Sequence, residues 1–272
     1  MSALVELAPR HKVGLSLANP IMLAAGVAGY GDMEAPGLDL ASLGGLVTAP
    51  VTRRPIRRQA PHVHELPGGL FWQRGDWNPG VRVVLRDFAP RWRRLGTPVI
   101  VHLAADDPAD MAALAGALEQ TPGVAGLEVK TPDHGDARHA AALVWAVKEA
   151  ADLPILARVP LHVDDAFVRT LLEAPVDALV VADPPKGARI DPDNGNLVYG
   201  SAHGPLLAPL VTARVVSLAT WVGVPLVACG GVHSLDDALA HLGAGAQAVQ
   251  IDTAVWVDPA LPGRIIEALA GG

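Results

Sequence analysis

The segment "PLVACGGVHSLDDALAHLGAGAQAVQID" (225–252) decides the fold, because it reads as one strand–helix–strand unit. The apolar run at 225–230 has the length of a buried strand, and 248–252 reads as a second strand. Between them, 234–242 has helical periodicity, and "SLDD" (234–237) resembles a capping box with aspartate in the glutamate position. Two apolar strands joined by a helix are typical of a parallel sheet that helices cover.

The same alternation extends along the chain. Strands are predicted at 20–25, 45–49, 98–103, 124–129, 154–159, 177–182, 225–230 and 248–252. Helices are predicted at 107–119, 137–151, 163–172, 205–221, 234–242 and 259–269. Eight parallel strands are the number that a closed barrel needs. The sequence therefore predicts an α/β fold, a (β/α)8 TIM barrel that spans residues 1–272 as a single domain.

Two stretches interrupt the alternation. A long excursion rich in proline and glycine follows the second strand at 50–94, and a shorter one follows the sixth strand at 182–205. Both begin where a barrel strand ends, which is the face on which such barrels carry their chemistry. Loops of this length in a compact domain are usually functional, so we expect both excursions to lie near the site.

Composition excludes several classes of protein. The net charge of −7 argues against a nucleic-acid partner, since phosphate backbones are bound by clustered lysine and arginine. The arginine clusters at 53–58 and 91–94 read as a solvated face, with a subunit contact or an anionic ligand as the alternative. A single cysteine, a start unlike a secretory signal and the lack of a long apolar segment predict a cytoplasmic protein without a membrane partner.

The glycine pair at the end of the seventh strand predicts an anion site. Gly230 and Gly231 lack Cβ atoms, so their backbone can approach a phosphate closely, and Thr253 follows the eighth strand next to them. The alternative is a tight turn that binds nothing. Cys229 precedes the pair, and nothing near it in sequence lowers a thiol pKa, so we interpret it as a small apolar residue.

Several segments together resemble the dihydroorotate dehydrogenase family. They are "NPIMLAAGVAGYG" (19–31), "LGGLVTAPVT" (43–52), "HELPGGLFWQRGDWNPG" (64–80), "PPKGARID" (184–191) and "VACGGVHSLDDALAHLGAGAQAVQIDTA" (227–254). The resemblance covers nearly the whole chain and is closer to the soluble branch than to the membrane-attached one. It implies an FMN-containing (β/α)8 barrel that oxidises dihydroorotate to orotate in pyrimidine biosynthesis, and a homodimer or a partner subunit.

The resemblance also implies a set of cofactor-binding positions. They are Ala24, Ala25, Gly26, Thr48, Arg158, Asp183, Gly204, Cys229, Gly230, Gly231, Asp252 and Thr253. Three departures are expected to weaken FMN binding. Ala49 replaces the lysine of the family, Asp183 replaces an asparagine, and Asp252 stands where the soluble branch usually has glycine. A carboxylate next to a phosphate is repelled unless it points away or pairs with a cation.

The catalytic positions diverge more. The resemblance places the proton-accepting residue at Thr131, whose hydroxyl, like that of water, has a pKa far above the thiol value of about 8.5. Thr131 needs a partner, for which Asp133, His134 and Lys130 are candidates, while an N-cap role for Thr131 or Asp133 is the alternative.

The resemblance gives the remaining positions roles at the flavin and the substrate. Arg158 stands for a second lysine that would stabilise the reduced flavin, although its planar fork is no simple replacement for an ammonium. The implied substrate positions are Trp72, Glu128, Asp133 and Pro184. Trp72 replaces an asparagine of the family, so it and Trp77 fill substrate space under one hypothesis.

Two main functions remain open from the sequence. One is an FMN-dependent oxidation of dihydroorotate or a related small ring substrate. The other is a catalytically degenerate or regulatory barrel that retains only a phosphate or flavin pocket, and a barrel for another phosphorylated metabolite is a third class. His62 and His64 have a spacing compatible with metal ligation, but they lie in the excursion, and no metal site is predicted.

Overall fold

The computed structural model describes residues 4–57, 62–73, 77–132, 136–191 and 195–271. Eight parallel strands close into a barrel, so the predicted TIM barrel is confirmed. The strands are β1 (Ile21–Leu23), β2 (Gly45–Val47), β3 (Val99–Leu103), β4 (Val124–Lys130), β5 (Ile155–Pro160), β6 (Ala178–Asp183), β7 (Leu226–Cys229) and β8 (Ala248–Ile251). Each strand pairs with the next in chain order, and β8 pairs with β1 through Val249↔Ile21, which closes the cylinder.

Helices follow six of the strands at the positions that the sequence predicts. They are α1 (Pro108–Glu119), α2 (Ala137–Ala150), α3 (Asp165–Leu171), α4 (Ala208–Ala219), α5 (Leu235–Gly243) and α6 (Leu261–Gly271). The Ser234 side chain accepts from the Asp237 amide, as a capping box requires. The Asp237 carboxylate in turn accepts from the amide of His233, one residue before the cap. The predicted start of α5 is therefore confirmed.

The core lies on both sides of the barrel wall. The side chains of Val101 and Leu103 on β3 are fully buried in the same apolar cluster as Met111 and Leu114 on α1. A second cluster combines β1 and β8 with Ile265 on α6. Strands that are apolar on both faces are expected of a parallel barrel, because helices cover the outside and packed side chains fill the inside.

The two excursions form one sheet, which the sequence did not predict. Its four antiparallel strands run in the order Lys186–Ile190, Leu197–His203, Gly69–Gln73 and His62–Leu66. Ser201 pairs with Trp72 and His203 with Leu70, so strands from both excursions are hydrogen-bonded at the centre. Since the excursions leave the ends of β2 and β6, this sheet covers the carboxyl end of the barrel.

The rest of the long excursion packs against the barrel wall. Strand Ile56–Arg57 pairs with Trp77–Asn78, and short helical turns follow between residues 81 and 92. The buried Trp92 donates its indole N–H to the carbonyl of Tyr30 at 2.8 Å, which anchors these turns to the loop after β1. Within the described ranges, no helix combines the length and the apolar character that a membrane span requires.

Candidate functional site

A buried polar network lies at the carboxyl end of the barrel, and every strand from β3 to β8 contributes one side chain to it. Its members, in chain order, are His102, Glu128, Arg158, Asp183, Cys229 and Gln250. Five of these side chains are buried, and that of Asp183 is 12% exposed. Polar side chains are rarely buried unless they are paired, so this group at one end of an apolar barrel indicates a site.

Glu128 is the centre of this polar network. Its carboxylate is completely buried and accepts at 2.8 Å from Arg158 Nε and from Gln250 Nε2, and it lies 2.8 Å from His102 Nδ1. Burial alone would raise the pKa of Glu128, but the Arg158 charge and the hydrogen bond with His102 outweigh it. They hold the pKa of this carboxyl well below its usual range. Glu128 is therefore an anion.

Arg158 is the matching cation. Its Nη1 donates to the Cys229 sulfur at 3.3 Å, and its Nη2 donates to Gln250 Oε1. Asp183 lies 3.9 Å from the same Nη1 and 3.3 Å from Lys186 Nζ, close to the sheet. Burial opposes the charge of Arg158, but its neighbours raise the pKa well above the usual value. A guanidinium has five N–H groups, and the bonds to Glu128, Cys229 and Gln250 use three of them.

Cys229 is a neutral thiol. Its side chain is 1% exposed, and burial raises its pKa to about 12, although the Arg158 charge opposes that rise. The thiolate is the nucleophilic form of cysteine, so this residue is unreactive at physiological pH. The structure thus agrees with the interpretation of Cys229 as a small lining residue, and it adds the contact with Arg158.

Alkylation should be strongly suppressed in the folded protein. With iodoacetamide at about pH 8, we expect Cys229 to react at least ~100-fold more slowly in the native chain than in the unfolded chain, because burial limits both access and ionisation. Mass spectrometry of timed samples measures the reaction, and the same chain in guanidinium chloride is the control. Complete native labelling at the rate of the unfolded chain would contradict this description.

The ends of β7 and β8 form what we call the glycine corner, which consists of Gly230, Gly231, Asp252 and Thr253. The register Cys229↔Gln250 places these residues side by side. Gly231 has φ +82°, and a Cβ atom there would lie 2.1 Å from the amide nitrogen of Ala208. Gly230 has φ +112°, and its nearest neighbours would be side-chain atoms at 3.7 Å or more. Packing against α4 therefore explains Gly231, but it does not explain Gly230.

Asp252 is turned away from the backbone that follows it. Its side chain does not cap the next turn, Thr253–Trp256, and it accepts instead from His203 Nδ1. The other imidazole nitrogen of His203 lies 2.8 Å from the Ser201 hydroxyl. All three side chains are almost fully buried. The structure therefore supplies the partner that a carboxylate at this position requires.

Trp72 packs next to His203, the partner of Asp252. The indole is 8% exposed, lies 5.5 Å from the His203 ring and packs edge-on against Trp256 at 4.8 Å. Trp72 is thus part of a ring cluster beside the glycine corner. Trp77 lies in the strand Trp77–Asn78, but its side chain is outside the part that the structure describes.

Other predicted positions line the same end of the barrel. Ala24 and Ala25 are buried after β1, and Gly26 has φ +83°. Thr48, buried after β2, accepts from the His102 amide at 3.2 Å and donates to the Ala49 carbonyl at 3.0 Å.

Two further predicted positions lie at the excursion after β6. Pro184 is buried at the beginning of this excursion. Gly204, near its end, has φ +139°, and a Cβ atom there would lie 2.6 Å from the Gly68 carbonyl oxygen. Close approach of the two excursions therefore explains the glycine at position 204.

Thr131 directly follows β4, and its hydroxyl already makes a hydrogen bond. It is 2% exposed and donates to the carbonyl oxygen of Arg158 at 2.7 Å. Asp136 is the N-cap of α2, so the alternative of an N-cap role for Thr131 is wrong. Asp133 and His134, two of the three proposed partners of Thr131, lie outside the described residues, and the third, Lys130, is the last residue of β4.

Four site residues were missed from the sequence. His102 and Gln250 each interrupt an apolar strand shortly before its carboxyl end, in "VIVHL" and "AVQI", and this interruption was the only local signal. Ser201 and His203 lie in the shorter excursion, two residues apart on a strand, so their side chains share one face of the sheet. Their link to Asp252 crosses 49 residues of sequence, and no local pattern announces it.

A family model described as dihydroorotate dehydrogenase matches residues 9–271 of this chain. The chain belongs to the dihydroorotate dehydrogenase family. The resemblance seen in the sequence is thereby confirmed. Relatives named dihydroorotate dehydrogenase B (NAD(+)), catalytic subunit, extend over most of both chains. The one from Desulforudis audaxviator is 36% identical over 266 residues, which cover 90% of this chain and 86% of the relative.

Further dihydroorotate dehydrogenase relatives carry the same name. The one from Solidesulfovibrio magneticus is 34% identical and covers 94% of this chain and 90% of the relative. The one from Pelobacter propionicus is 32% identical with the same coverage. The family match at 9–271 includes both excursions and the glycine corner.

Proposed function

We propose that this protein is an FMN-dependent oxidoreductase that acts on a CH–CH bond of dihydroorotate or a related small ring substrate. The observation that carries the proposal is the polar network, to which six consecutive strands contribute at the carboxyl end of a barrel of this family. FMN would supply the acceptor for a hydride from the substrate. Relatives named for this activity over nearly the full chain support the same assignment.

The geometry of the glycine corner supports binding of the FMN phosphate. The Asp252 carboxylate points to His203 and does not cap its own turn, so it does not compete with an anion for the first amides of that turn, before the Val255 amide that bonds to the Asp252 carbonyl. Gly230 has a φ of +112° that by itself favours glycine, and a Cβ atom there would have no neighbour closer than 3.7 Å, so this backbone is open to a ligand. The residues proposed to line the FMN site, whether they contact FMN or only border it, are Ala24, Ala25, Gly26, Thr48, Arg158, Asp183, Gly204, Cys229, Gly230, Gly231, Asp252 and Thr253.

Arg158 is proposed to stabilise negative charge on the reduced flavin. Its bonds to Glu128, Cys229 and Gln250 use three of its five N–H groups, and Asp183 lies 3.9 Å from Nη1, so at most two N–H groups are left for a ligand by the residues that the structure describes. The buried Glu128 anion neutralises much of the Arg158 charge, so the stabilisation is weaker than that from an unpaired cation. Glu128 thus reduces the effect that Arg158 has on the flavin.

Proton removal from the substrate is proposed to occur at Thr131. Its hydroxyl donates to a peptide carbonyl, which is not a proton acceptor of useful strength, so a second group must take the proton. Trp72, Glu128, Asp133 and Pro184 are proposed to border the substrate. The loss of a lysine at Ala49 favours a substrate that relies less on charge-assisted contacts than orotate does.

A second candidate function is a flavin- or phosphate-holding barrel without turnover. The observation that favours it is the bond from Thr131 to the Arg158 carbonyl, which leaves the hydroxyl proton without a base among the described residues. The Trp72 ring cluster favours it too, because the rings occupy space beside the glycine corner. The first function predicts a bound flavin that the substrate reduces, and the second predicts a bound flavin or another phosphorylated ligand without reduction by the substrate.

Anaerobic flavin spectroscopy tests the proposal. We expect the purified protein, reconstituted with FMN, to show visible flavin absorption that bleaches when dihydroorotate is added. Thr131→Ala should keep its FMN and slow the bleaching ~100-fold or more, the usual contribution of proton transfer. Chemical reduction with dithionite is the control for a functional chromophore. FMN that dithionite bleaches and dihydroorotate does not would support the second candidate. Failure to take up FMN would refute the first candidate and the flavin-holding form of the second.

Assembly and location are also proposals. The relatives are named catalytic subunit, which supports a partner subunit for this chain, and a homodimer is the alternative. A cytoplasmic location is proposed because the one cysteine is a buried free thiol. Analytical ultracentrifugation of the purified chain measures whether it is a monomer or a dimer before any partner is added.

A further inference from the structure

The glycine corner contains a pair of side chains that no local pattern joins. His203 ends the strand Leu197–His203, and Asp252 follows β8, yet the imidazole Nδ1 is hydrogen-bonded to the carboxylate. The His203 side chain is fully buried, and that of Asp252 is 8% exposed. An imidazole nitrogen bonded to a carboxylate carries the proton, so Nδ1 is the donor of this bond.

The environment of His203 accommodates both charge states of the ring. When Nε2 is unprotonated, the Ser201 hydroxyl can donate to it at 2.8 Å. When Nε2 carries a proton, it can donate to the same hydroxyl, which then donates to the Trp72 carbonyl at 3.5 Å. The Trp72 ring lies 5.5 Å from the imidazole, tilted by 56° to it, and holds the imidazole in place from one side. A protonated His203 therefore keeps its partners.

The negative charges of the Asp252 carboxylate and of a bound phosphate would meet at the glycine corner, and this gives the His203–Asp252 pair a role. Asp252 directly precedes Thr253, one of the residues proposed to hold the FMN phosphate. A buried carboxylate and a phosphate dianion a few ångströms apart repel each other strongly, because little water screens them. A protonated imidazole bonded to the carboxylate cancels one negative charge, and the bond keeps the carboxylate directed away from the anion.

We propose that His203 is the residue that lets this barrel hold a phosphate group beside Asp252. In this proposal His203 is protonated when the phosphate binds, its Nδ1–H fixes the Asp252 carboxylate, and Ser201 and Trp72 fix the ring. The ligand class is a flavin or another metabolite that carries a phosphate monoester. The inference rests on the proposed function, and it assigns His203 as a positioning residue that contributes to the selection of the phosphorylated form of the cofactor.

Comparison of FMN with riboflavin isolates the phosphate, because the two ligands differ only by that group. Binding of each is measured by flavin fluorescence for the wild type, His203→Gln, Asp252→Asn and the double variant. Glutamine retains an N–H donor but cannot become a cation, and asparagine retains the shape of aspartate without its charge. We expect His203→Gln to bind FMN at least ~10-fold more weakly, while its riboflavin affinity stays within ~3-fold of the wild type.

The two other variants complete the cycle. Asp252→Asn should bind FMN as tightly as the wild type or more tightly, because it removes a negative charge beside the phosphate. The double variant should regain FMN affinity to within ~3-fold of the wild type, since the carboxylate that His203 neutralises is gone. Circular dichroism and thermal unfolding of all four proteins identify any variant that fails to fold. If His203→Gln fails to fold, the Asp252→Asn and double variants still test the proposal.

The outcomes separate this inference from the proposed function. If the wild type prefers FMN to riboflavin and His203→Gln retains that preference, the inference is wrong and the proposed function stands. Equal losses of FMN and riboflavin in His203→Gln would assign a structural role and would also overturn the inference. A wild type that binds FMN no better than riboflavin would refute the phosphate site and the inference together.

Discussion

Replacing Glu128 with alanine is expected to lower the free energy of unfolding by about 3–5 kcal/mol. The substitution leaves the Arg158 guanidinium in the barrel interior, where its side chain is 2% exposed, without the carboxylate that faces its Nε. It also removes the acceptor of Gln250 Nε2 and the partner of His102 Nδ1. Urea unfolding, monitored by far-UV circular dichroism, measures the change.

Two controls show whether the loss comes from the uncompensated charge. Arg86→Ala removes the cation of an ion pair with Asp87 whose arginine side chain is 72% exposed, and it should leave the free energy of unfolding almost unchanged, because solvent screens exposed ion pairs. Glu128→Leu combined with Arg158→Met removes both buried charges, and the pair should cost clearly less than the sum of the two single changes. Additive losses would show that the charges of Glu128 and Arg158 are not coupled.

The barrel could be predicted from the sequence because each of its parts is local. A run such as "PILARV" (154–159) shows its strand by composition, and "SLDD" (234–237) shows a helix start by the spacing of a cap. The order of the strands then follows from the chain, since consecutive βαβ units place each strand beside the last. Periodicity and caps therefore determine most of this fold.

The site was predicted only in part because its contacts are not local. Arg158 and Cys229 were identified as site positions, but the bond between them joins residues 71 apart. Glu128 was expected to border the substrate, and the structure adds that it is a buried anion, bonded to His102 on the neighbouring strand and to Gln250 across the barrel. Such pairings are decided by the register between strands, which residue spacing does not encode.

The joining of the two excursions is the clearest example of this limit. Proline and glycine correctly indicated a departure from the barrel at 50–94 and 182–205, yet the structure pairs Ser201 with Trp72 in one sheet. A short antiparallel pairing between residues so distant in sequence depends on where both segments are held by the barrel beneath them. The orientation of Asp252 depends on the same sheet, because His203 reaches it from there.

Gly231→Ala is expected to destabilise the protein by more than ~2 kcal/mol, independently of any ligand. The residue has φ +82°, which costs an alanine about 1–2 kcal/mol, and the new Cβ atom would lie 2.1 Å from the amide nitrogen of Ala208 and 2.5 Å from its Cα atom. Backbone atoms at the start of α4 cannot rotate away, so β7 and α4 must move apart. Thermal unfolding without flavin measures the loss.

Gly263→Ala is the matched control for this prediction. Gly263 lies inside α6, and no heavy atom lies within 4 Å of the position that a Cβ atom would take there. Alanine at 263 should therefore stabilise the protein by about 0.5–1 kcal/mol. If Gly231→Ala unfolds at the wild-type temperature and binds FMN more weakly, its glycine serves ligand approach alone. Loss of stability without flavin would instead mean that packing of the glycine corner against α4 requires glycine at position 231. The same residue would then serve both packing and the proposed phosphate binding.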